Sequence, residues 1–252
     1  MKIIFITFFI LLCNFSFSKE TLGLVTKSKG KVEYQKYDSN KFSSSVKKGL
    51  GLYGDDQIRT GDNGFSIYRY LDDASSIKIL KNSEVIIQGR IDSRNITKNV
   101  EVTNGLLNFN IDKQNDGYFT VVTPTSVATV KGTEFWLICN GVEGDKFLGV
   151  EGSVEVKNIE SGQKVVLNEN STVLSTSNGN IVTQTMTTED FQQVDDLEDE
   201  SGEYEDFEID TDTGLNDDSD TDSTTESDDL NIIRIEFEDS LGNSKEIIIK
   251  YK

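Results

Sequence analysis

From Thr21 to about Thr183 the chain never sustains a helix period, and this constrains its fold more than any other feature. Apolar residues instead recur at every second position in short runs, such as Ile67-Tyr68-Arg69-Tyr70-Leu71, Ile77-Lys78-Ile79 and Val85-Ile86-Ile87. Turn signals cut these runs apart: Gly61-Asp62-Asn63-Gly64, Asn104-Gly105, Asn140-Gly141, Ser161-Gly162 and Asn178-Gly179-Asn180. Short strands punctuated this often define an all-β sandwich, barrel or solenoid. In the later part Leu148, Val150, Val154 and Val156 keep period two across Gly152, which predicts one buried and one wet face.

The chain has a single proline, Pro124. It falls in Tyr118-Phe119-Thr120-Val121-Val122-Thr123-Pro124-Thr125-Ser126-Val127-Ala128-Thr129-Val130-Lys131-Gly132-Thr133-Glu134-Phe135-Trp136-Leu137. A proline cannot donate to a β-ladder, so the stretch reads as a strand, a break and a second strand, with a glycine step into a third. Gly132 permits a bulge or a close backbone approach, and Thr133 is placed to bridge the kink through a neighbouring backbone group. Phe135 is then directed to the core and Trp136 to the opposite face. An exposed Trp136 would be a contact residue; its size favours packing beneath a neighbouring coil. The adjacent carboxylates Asp55-Asp56 and Asp72-Asp73 point to opposite faces if they lie on strands. They suit turn chemistry better than a catalytic pair.

Five segments occur in an order that resembles the FecR family. These are Gly54-Asp55-Asp56-Gln57-Ile58-Arg59-Thr60-Gly61, Leu71-Asp72-Asp73-Ala74-Ser75 with Ala74 in place of the family's glycine, and Asn104-Gly105-Leu106-Leu107-Asn108-Phe109. The Thr123-to-Phe135 run and Glu151-Gly152-Ser153-Val154-Glu155-Val156 complete them. The resemblance implies a short, irregular, right-handed β-solenoid, with a β-sandwich as the alternative. It marks Gly54, Asp55, Thr60, Gly61, Pro124, Gly132, Thr133, Phe135 and Gly152 as signature residues with structural roles. In the best-known FecR-type proteins a periplasmic sensor domain relays a transporter's status to a sigma factor. That sigma-regulating activity resides in a cytoplasmic segment and is not carried over here. The resemblance implies an envelope location and a β module that meets another protein.

Residues 1–18 read as an export signal. Lys2 precedes a ten-residue run from Ile3 to Leu12 interrupted only by Thr7, and Ser16-Phe17-Ser18 places small residues at the cleavage positions. The run falls short of the about 20 apolar residues a membrane-spanning helix requires. Lipidation at Cys13 is the alternative, disfavoured by Leu12 before it. Cleavage leaves Cys139 as the only cysteine, and the chain has no histidine. A lone thiol cannot cross-link its own chain, and without histidine it lacks its usual base. Cys139, alternating with Phe135 and Leu137, therefore reads as a small buried apolar group. Ser-His hydrolysis and histidine-ligated zinc are excluded by composition, and no enzyme activity or cofactor is expected.

Charge is segregated. Of 44 acidic and 25 basic residues, 20 acids and no base lie between Glu189 and Asp229, leaving 24 acids against 25 bases elsewhere. No basic stripe suggests nucleic acid. Thr187-Thr188-Glu189-Asp190 ahead of Phe191, Val194 and Leu197 predicts a short capped helix. Beyond Leu197 apolar residues are too sparse to offset ordering entropy, which predicts a disordered acidic linker. Its string Asp210, Asp212, Asn216, Asp218, Asp220 and Asp222 does not keep the spacing of a calcium loop and would collect divalent cations only weakly. At the end, Ile233, Ile235 and Phe237 alternate with Arg234, Glu236 and Glu238. A turn at Ser240-Leu241-Gly242-Asn243 and the run Ile247-Ile248-Ile249-Lys250-Tyr251 complete a β-hairpin.

The expected organisation is a signal peptide over 1–18, a FecR-type β domain over 19–186, a short helix and acidic linker over 187–230, and a hairpin over 231–252. The expected function is an exported, non-enzymatic protein-binding or signal-relay module of the periplasm or cell exterior, its envelope partner unnamed and with no stable membrane insertion. The hairpin is too apolar to sit free and is expected to dock on an open end of its own β domain or, alternatively, to add to another protein's sheet edge, with Ile233, Ile235, Phe237 and Ile248 as its candidate partner-binding residues. The alternative is a structural or adhesive surface protein with a cation-collecting acidic segment.

Overall fold

The structure, a computed structural model, describes residues 20–43, 46–92, 95–114, 117–205, 231–238 and 244–251. The export signal, residues 206–230 and the turn at 240–243 lie outside the described residues. Two units are present, one ending at Glu208 and one beginning at Ile209.

The first unit is built on strands. They are β1 (Gly23–Lys29), β2 (Val32–Gln35), β3 (Gly51–Leu52), β4 (Asp56–Thr60), β5 (Phe65–Tyr70), β6 (Ser76–Ile79) and β7 (Glu84–Asp92). There follow β8 (Asn95–Ile111), β9 (Phe119–Val122), β10 (Ser126–Cys139), β11 (Asp145–Asn158), β12 (Lys164–Asn168), β13 (Ser171–Ser175) and β14 (Ile181–Thr185). One helix, α1 (Thr188–Glu205), comes after them. The fourteen strands form one open sheet whose main path runs β14-β13-β11-β10-β9-β8-β6-β5-β1-β3, with β12 on β11 and a branch through β7, β4 and β2.

Long strands that change partner hold this branched sheet together. The first part of β8 pairs with β7 and, in parallel, with β9. Its last part, from Gly105 to Ile111, pairs with β10, and Leu107–Asn110 pair with β6. Likewise β10 holds β9 through Val127–Val130 and β8 through Thr133–Cys139, with β11 alongside throughout.

The principal core lies inside this arrangement. Tyr68, Tyr70, Phe119, Phe109, Phe135 and Phe147 form a chain of ring contacts with centroid separations of 4.9, 5.6, 6.1, 5.1 and 6.4 Å. Each of the phenylalanines taken from water contributes about 1.5–3 kcal/mol, and the edge-to-face pairs add to that. Cys139 joins the same core beside Leu137, as its alternation predicts.

A second cluster lies on the other side of β10 and β11. It contains Phe65, Leu80, Trp136, Ile138 and Leu148, together with Met186, Val194 and Leu197 from the approach to and body of α1. Trp136 is therefore core, but α1 contributes to its cover. This corrects two expectations. The helix does not stop near Leu197 but continues to Glu205. Its start is also not separate from the folded part, because Asp190, Val194, Leu197 and Ser201 are all buried at helical spacing.

The β11 pattern is corrected as well. Phe147, Val154 and Val156 belong to the inner core, whereas Leu148 belongs to the helix-covered cluster and Val150 packs against it. The run is not one buried and one wet face. Register shifts fall between Val130 and Thr133 and between Glu134 and Phe135 of β10 as it pairs with β11. An extra residue in a strand exchanges its faces, so even positions serve one cluster before the shift and the other after it.

The second unit is an antiparallel two-stranded sheet of β15 (Asn231–Glu238) and β16 (Ser244–Tyr251).

Candidate functional site

Three of the five signature segments line one concavity. Ala74 comes from the β5–β6 turn, Lys131 to Glu134 from the β10 bulge, and Glu151 and Ser153 from β11. Asn110, Ile111, Asp112 and Lys113 at the end of β8 complete a space of about 620 Å³. Its walls mix lysines, carboxylates, hydroxyls and an amide. The bulge shapes it. Gly132 has φ +149°, and an added Cβ would lie 3.0 Å from the Lys113 Cα; Gly152 has φ +77°, with its Cβ position 2.9 Å from the Gly132 carbonyl oxygen. Both sites therefore require glycine. The Thr133 hydroxyl donates to the Ser153 carbonyl at 2.9 Å, bridging the kink. Glu134 accepts from the amides of Asn108 (3.2 Å) and Asn110 (3.5 Å), which ties β8 to β10 at the rim.

Beside the concavity, Gln114 donates its backbone N–H to the Lys131 carbonyl at 2.8 Å and its side-chain amide to Asp73 at 2.8 Å. Asp73 belongs to a charged group around Lys98, whose side chain is only 2% exposed. The Lys98 Nζ lies 2.5 Å from Asp73 Oδ2 and 2.9 Å from Asp72 Oδ2. Asp73 Oδ1 accepts the Ser75 amide at 2.9 Å, and Asp72 Oδ2 accepts the Ile96 amide at 3.0 Å. Burial alone would raise the Asp73 carboxyl; hydrogen bonds from Lys98, Gln114 and Ser75 outweigh it and hold the group below its ordinary value. The Asp72-Asp73 pair thus does turn chemistry, as expected, and also neutralises a buried lysine that no sequence signal connects to it.

The remaining signature residues are places where the chain turns. Gly54 and Asp55 make the tight step into β4, Asp55 with φ +70°. Asp56 is fully buried and accepts the amides of Tyr37 and Tyr53, both at 3.0 Å. Thr60 closes β4 by donating to the Leu80 carbonyl at 2.5 Å and accepting the Ser83 amide at 2.9 Å; the next amide, Gly61, donates to Lys31 at 2.8 Å. Pro124 sits in the β9–β10 turn. There the hydroxyls of Thr123 (2.5 Å), Ser126 (2.7 Å) and Thr125 all donate to one oxygen of the buried Asp145. Asp145 pairs in register with Cys139. Burial, reinforced by Asp145, pushes the Cys139 thiol up to about 12, so it stays protonated at neutral pH and lacks nucleophilic character.

At the second face Thr187 and Asp190 cap α1 reciprocally. The Asp190 amide donates to the Thr187 hydroxyl at 3.2 Å, and the Thr187 amide donates to Asp190 Oδ2 at 3.0 Å. Asp190 also accepts the Thr172 hydroxyl at 2.9 Å and pairs with Lys146 at 2.5 Å. Burial would raise its carboxyl; Lys146, the Thr187 amide and Thr172 together bring it down to about 2. Lys81 pairs with Glu200 at 3.0 Å further along the helix.

In the second unit Ile233 lies opposite Ile249, Ile235 opposite Ile247 and Phe237 opposite Lys245, whereas Ile248 lies opposite Arg234. Directly opposed residues share a face. The register therefore groups Ile233, Ile235 and Phe237 with Ile247 and Ile249, and it places Ile248 in the other set. Residue parity cannot be carried across a hairpin turn without the register.

Among the described residues no group of three or more Cys, Asp and Glu side chains is placed to hold a metal ion. The Asp210-to-Asp222 string lies outside them. No helix among the described residues is long and apolar enough to cross a membrane.

Residues 56–155 match the family model described as FecR protein. Two crystal structures, at 2.50 and 1.65 Å resolution, of a candidate anti-sigma factor from Parabacteroides distasonis ATCC 8503 are similar to the chain. Identities are 18% and 20% and TM-scores 0.45 and 0.43. In each case the similarity covers 53% of this chain and 61% of the other. No curated protein matches the chain.

Proposed function

We propose that this chain is an exported, non-enzymatic signal-relay module of the cell envelope that works by binding another protein. The FecR domain over residues 56–155 carries this reading. Two features support it. The signature residues build turns, a bulge and a concavity rather than a reactive pair. The one described cysteine is protonated and buried. Strands that change partner along their length favour the solenoid description of the domain over two flat layers. The hairpin residues Ile233, Ile235, Phe237, Ile247 and Ile249 form the element that adds to a partner's sheet; two strands alone are marginal in water.

The test is a pull-down of the mature protein from an envelope extract, with and without residues 231–252. One protein retained by the full chain and lost with the truncation is expected. Equal recoveries would remove the hairpin from the binding role, and recovery of no partner by either form would remove the relay reading. Export has its own check. The processed chain should begin at Lys19 by intact mass, and a lipid-modified chain starting at Cys13, or one retaining residues 1–18, would contradict it.

A further inference from the structure

We propose that Lys98 and Asp73 condense into an intramolecular amide cross-link, with Asp72 as the proton acceptor. Lysine is almost never fully buried unless paired, and here a single ammonium, 2% exposed, faces two carboxylates that are themselves only 13% and 18% exposed. Every group that an amide-forming reaction needs is in place. The Lys98 Nζ is the nucleophile, 2.5 Å from Asp73 Oδ2. The Asp73 carboxyl carbon is the electrophile. Its Oδ1 accepts the Ser75 backbone N–H at 2.9 Å, a donor on the oxygen that must carry charge in a tetrahedral intermediate. Its Oδ2, the oxygen that would depart, accepts the Gln114 amide at 2.8 Å. Asp72 Oδ2 stands 2.9 Å from the same Nζ and is fixed by the Ile96 amide. The Tyr70 ring, its centroid 5.4 Å from Nζ, walls the site on the core side.

The steps balance without a co-reactant. A proton passes from Nζ to Asp73 Oδ2, turning the inert ion pair into an amine beside a carboxylic acid. The nitrogen lone pair attacks the carboxyl carbon, and Oδ1 takes the negative charge under the Ser75 N–H. Asp72 accepts a second proton from nitrogen and returns it to Oδ2, which leaves as water while the carbonyl reforms at Oδ1. The ammonium and carboxylate are thus converted to one amide and one water. The hydrogen bonds that hold Asp73 ionised make the reactive form scarce, so the step is slow. It has to occur only once in each molecule, and the fixed geometry supplies a large effective concentration. The product would join residues 25 apart in sequence, from the β5–β6 turn to β8, in a chain whose one described cysteine cannot form an internal disulfide.

Intact mass and peptide mapping of the full chain after prolonged folding decide the matter. The expected result is a chain one water lighter than its sequence, resistant to trypsin at Lys98 even when denatured, with a branched peptide linking the segments that contain Asp73 and Lys98. Lys98→Arg, which keeps the positive charge, and Asp72→Asn are each expected at full sequence mass with an unchanged β-sheet circular dichroism spectrum. A wild-type chain at full sequence mass, cleaved at Lys98 once unfolded, is an ion cluster only and overturns the proposal. A wild-type chain that is lighter together with an equally light Asp72→Asn chain overturns the role of Asp72.

Discussion

Replacing Val194 and Leu197 of α1 by alanine should release the helix from the sheet while leaving the β domain folded. Both side chains are buried in the cluster with Trp136, Ile138 and Leu148. A buried leucine cut to alanine costs about 2–5 kcal/mol, and the lower end applies at the rim of a cluster that can partly collapse. Valine loses fewer atoms, so the pair amounts to about 3 kcal/mol, less any coupling between neighbours one turn apart. What still opposes undocking is the anchor at the helix start, where Asp190 keeps Lys146 and the Thr172 hydroxyl, so the turns beyond it are the part that comes free. A helix in a protein draws most of its stability from the packing of its apolar face. Acidic residues also continue through Asp195, Asp196, Glu198, Asp199 and Glu200 toward the carboxyl end, where the helix dipole disfavours them. The partly exposed ion pair Lys81–Glu200 adds about 1 kcal/mol.

The chain's single tryptophan makes the assay specific. Trp136 is 1% exposed, so its emission should be blue-shifted and poorly quenched by acrylamide in the native protein. In the double variant emission should move to the red and quenching should rise, while the β-sheet circular dichroism and the main thermal transition persist. Substituting the exposed Asp195 by alanine is the control and should change neither signal. Unchanged emission in the double variant would mean that α1 contributes nothing to covering Trp136. Loss of the whole β-sheet signal would mean that the helix and sheet are one cooperative unit and that undocking cannot be separated from unfolding.

Further outcomes follow from single groups. Asp190, with its carboxyl depressed to about 2, contributes stability that is fully present above its unfolded value near 3.9. That contribution should fall away as pH drops from about 4 to 2, and Asp190→Asn should flatten this part of the stability–pH curve. Gly152→Ala forces an alanine into φ +77° with its Cβ 2.9 Å from the Gly132 carbonyl; chemical denaturation should show a loss of at least about 1 kcal/mol. Cys139, its thiol pushed up to about 12, should resist alkylation at pH 8 in the native protein and react fully once denaturant is added, whereas ready native labelling would contradict its burial.

Much of this architecture is legible in the sequence where local chemistry decides the outcome. The proline break before Ser126, the Thr187–Asp190 cap, the Thr133 bridge and the turn roles of Asp55-Asp56 and Asp72-Asp73 each rest on a residue type with one good use at its position. The missed features are those that depend on a partner distant in the chain. Nothing near Asp73 announces Lys98, because the turn and the strand meet only when β6 pairs with β8. The hairpin register escaped for the same reason. Identical isoleucines in Ile247-Ile248-Ile249 give no local clue to which of them aligns with Arg234.

The parity of β10 shows that one such feature was readable after all. Ala128 and Val130 reach the inner core from even positions, while Phe135, Leu137 and Cys139 reach it from odd ones. The exchange falls across Lys131-Gly132, so a bulge at the glycine is written into the apolar pattern of a single strand. On β11 the same exchange is hidden, because Leu148 and Val150 serve the outer cluster and Val154 and Val156 the inner one, all from even positions. What resolves the ambiguity is Phe135-Trp136-Leu137-Ile138-Cys139, five apolar residues in succession. A strand apolar on both faces must be covered on both, and a sheet buried only on its inner side would leave Trp136 and Ile138 in water. The cover had to come from elsewhere in the chain. The capped, amphipathic run beginning at Thr187, with Asp190, Val194, Leu197 and Ser201 at helical spacing, was the element available to supply it.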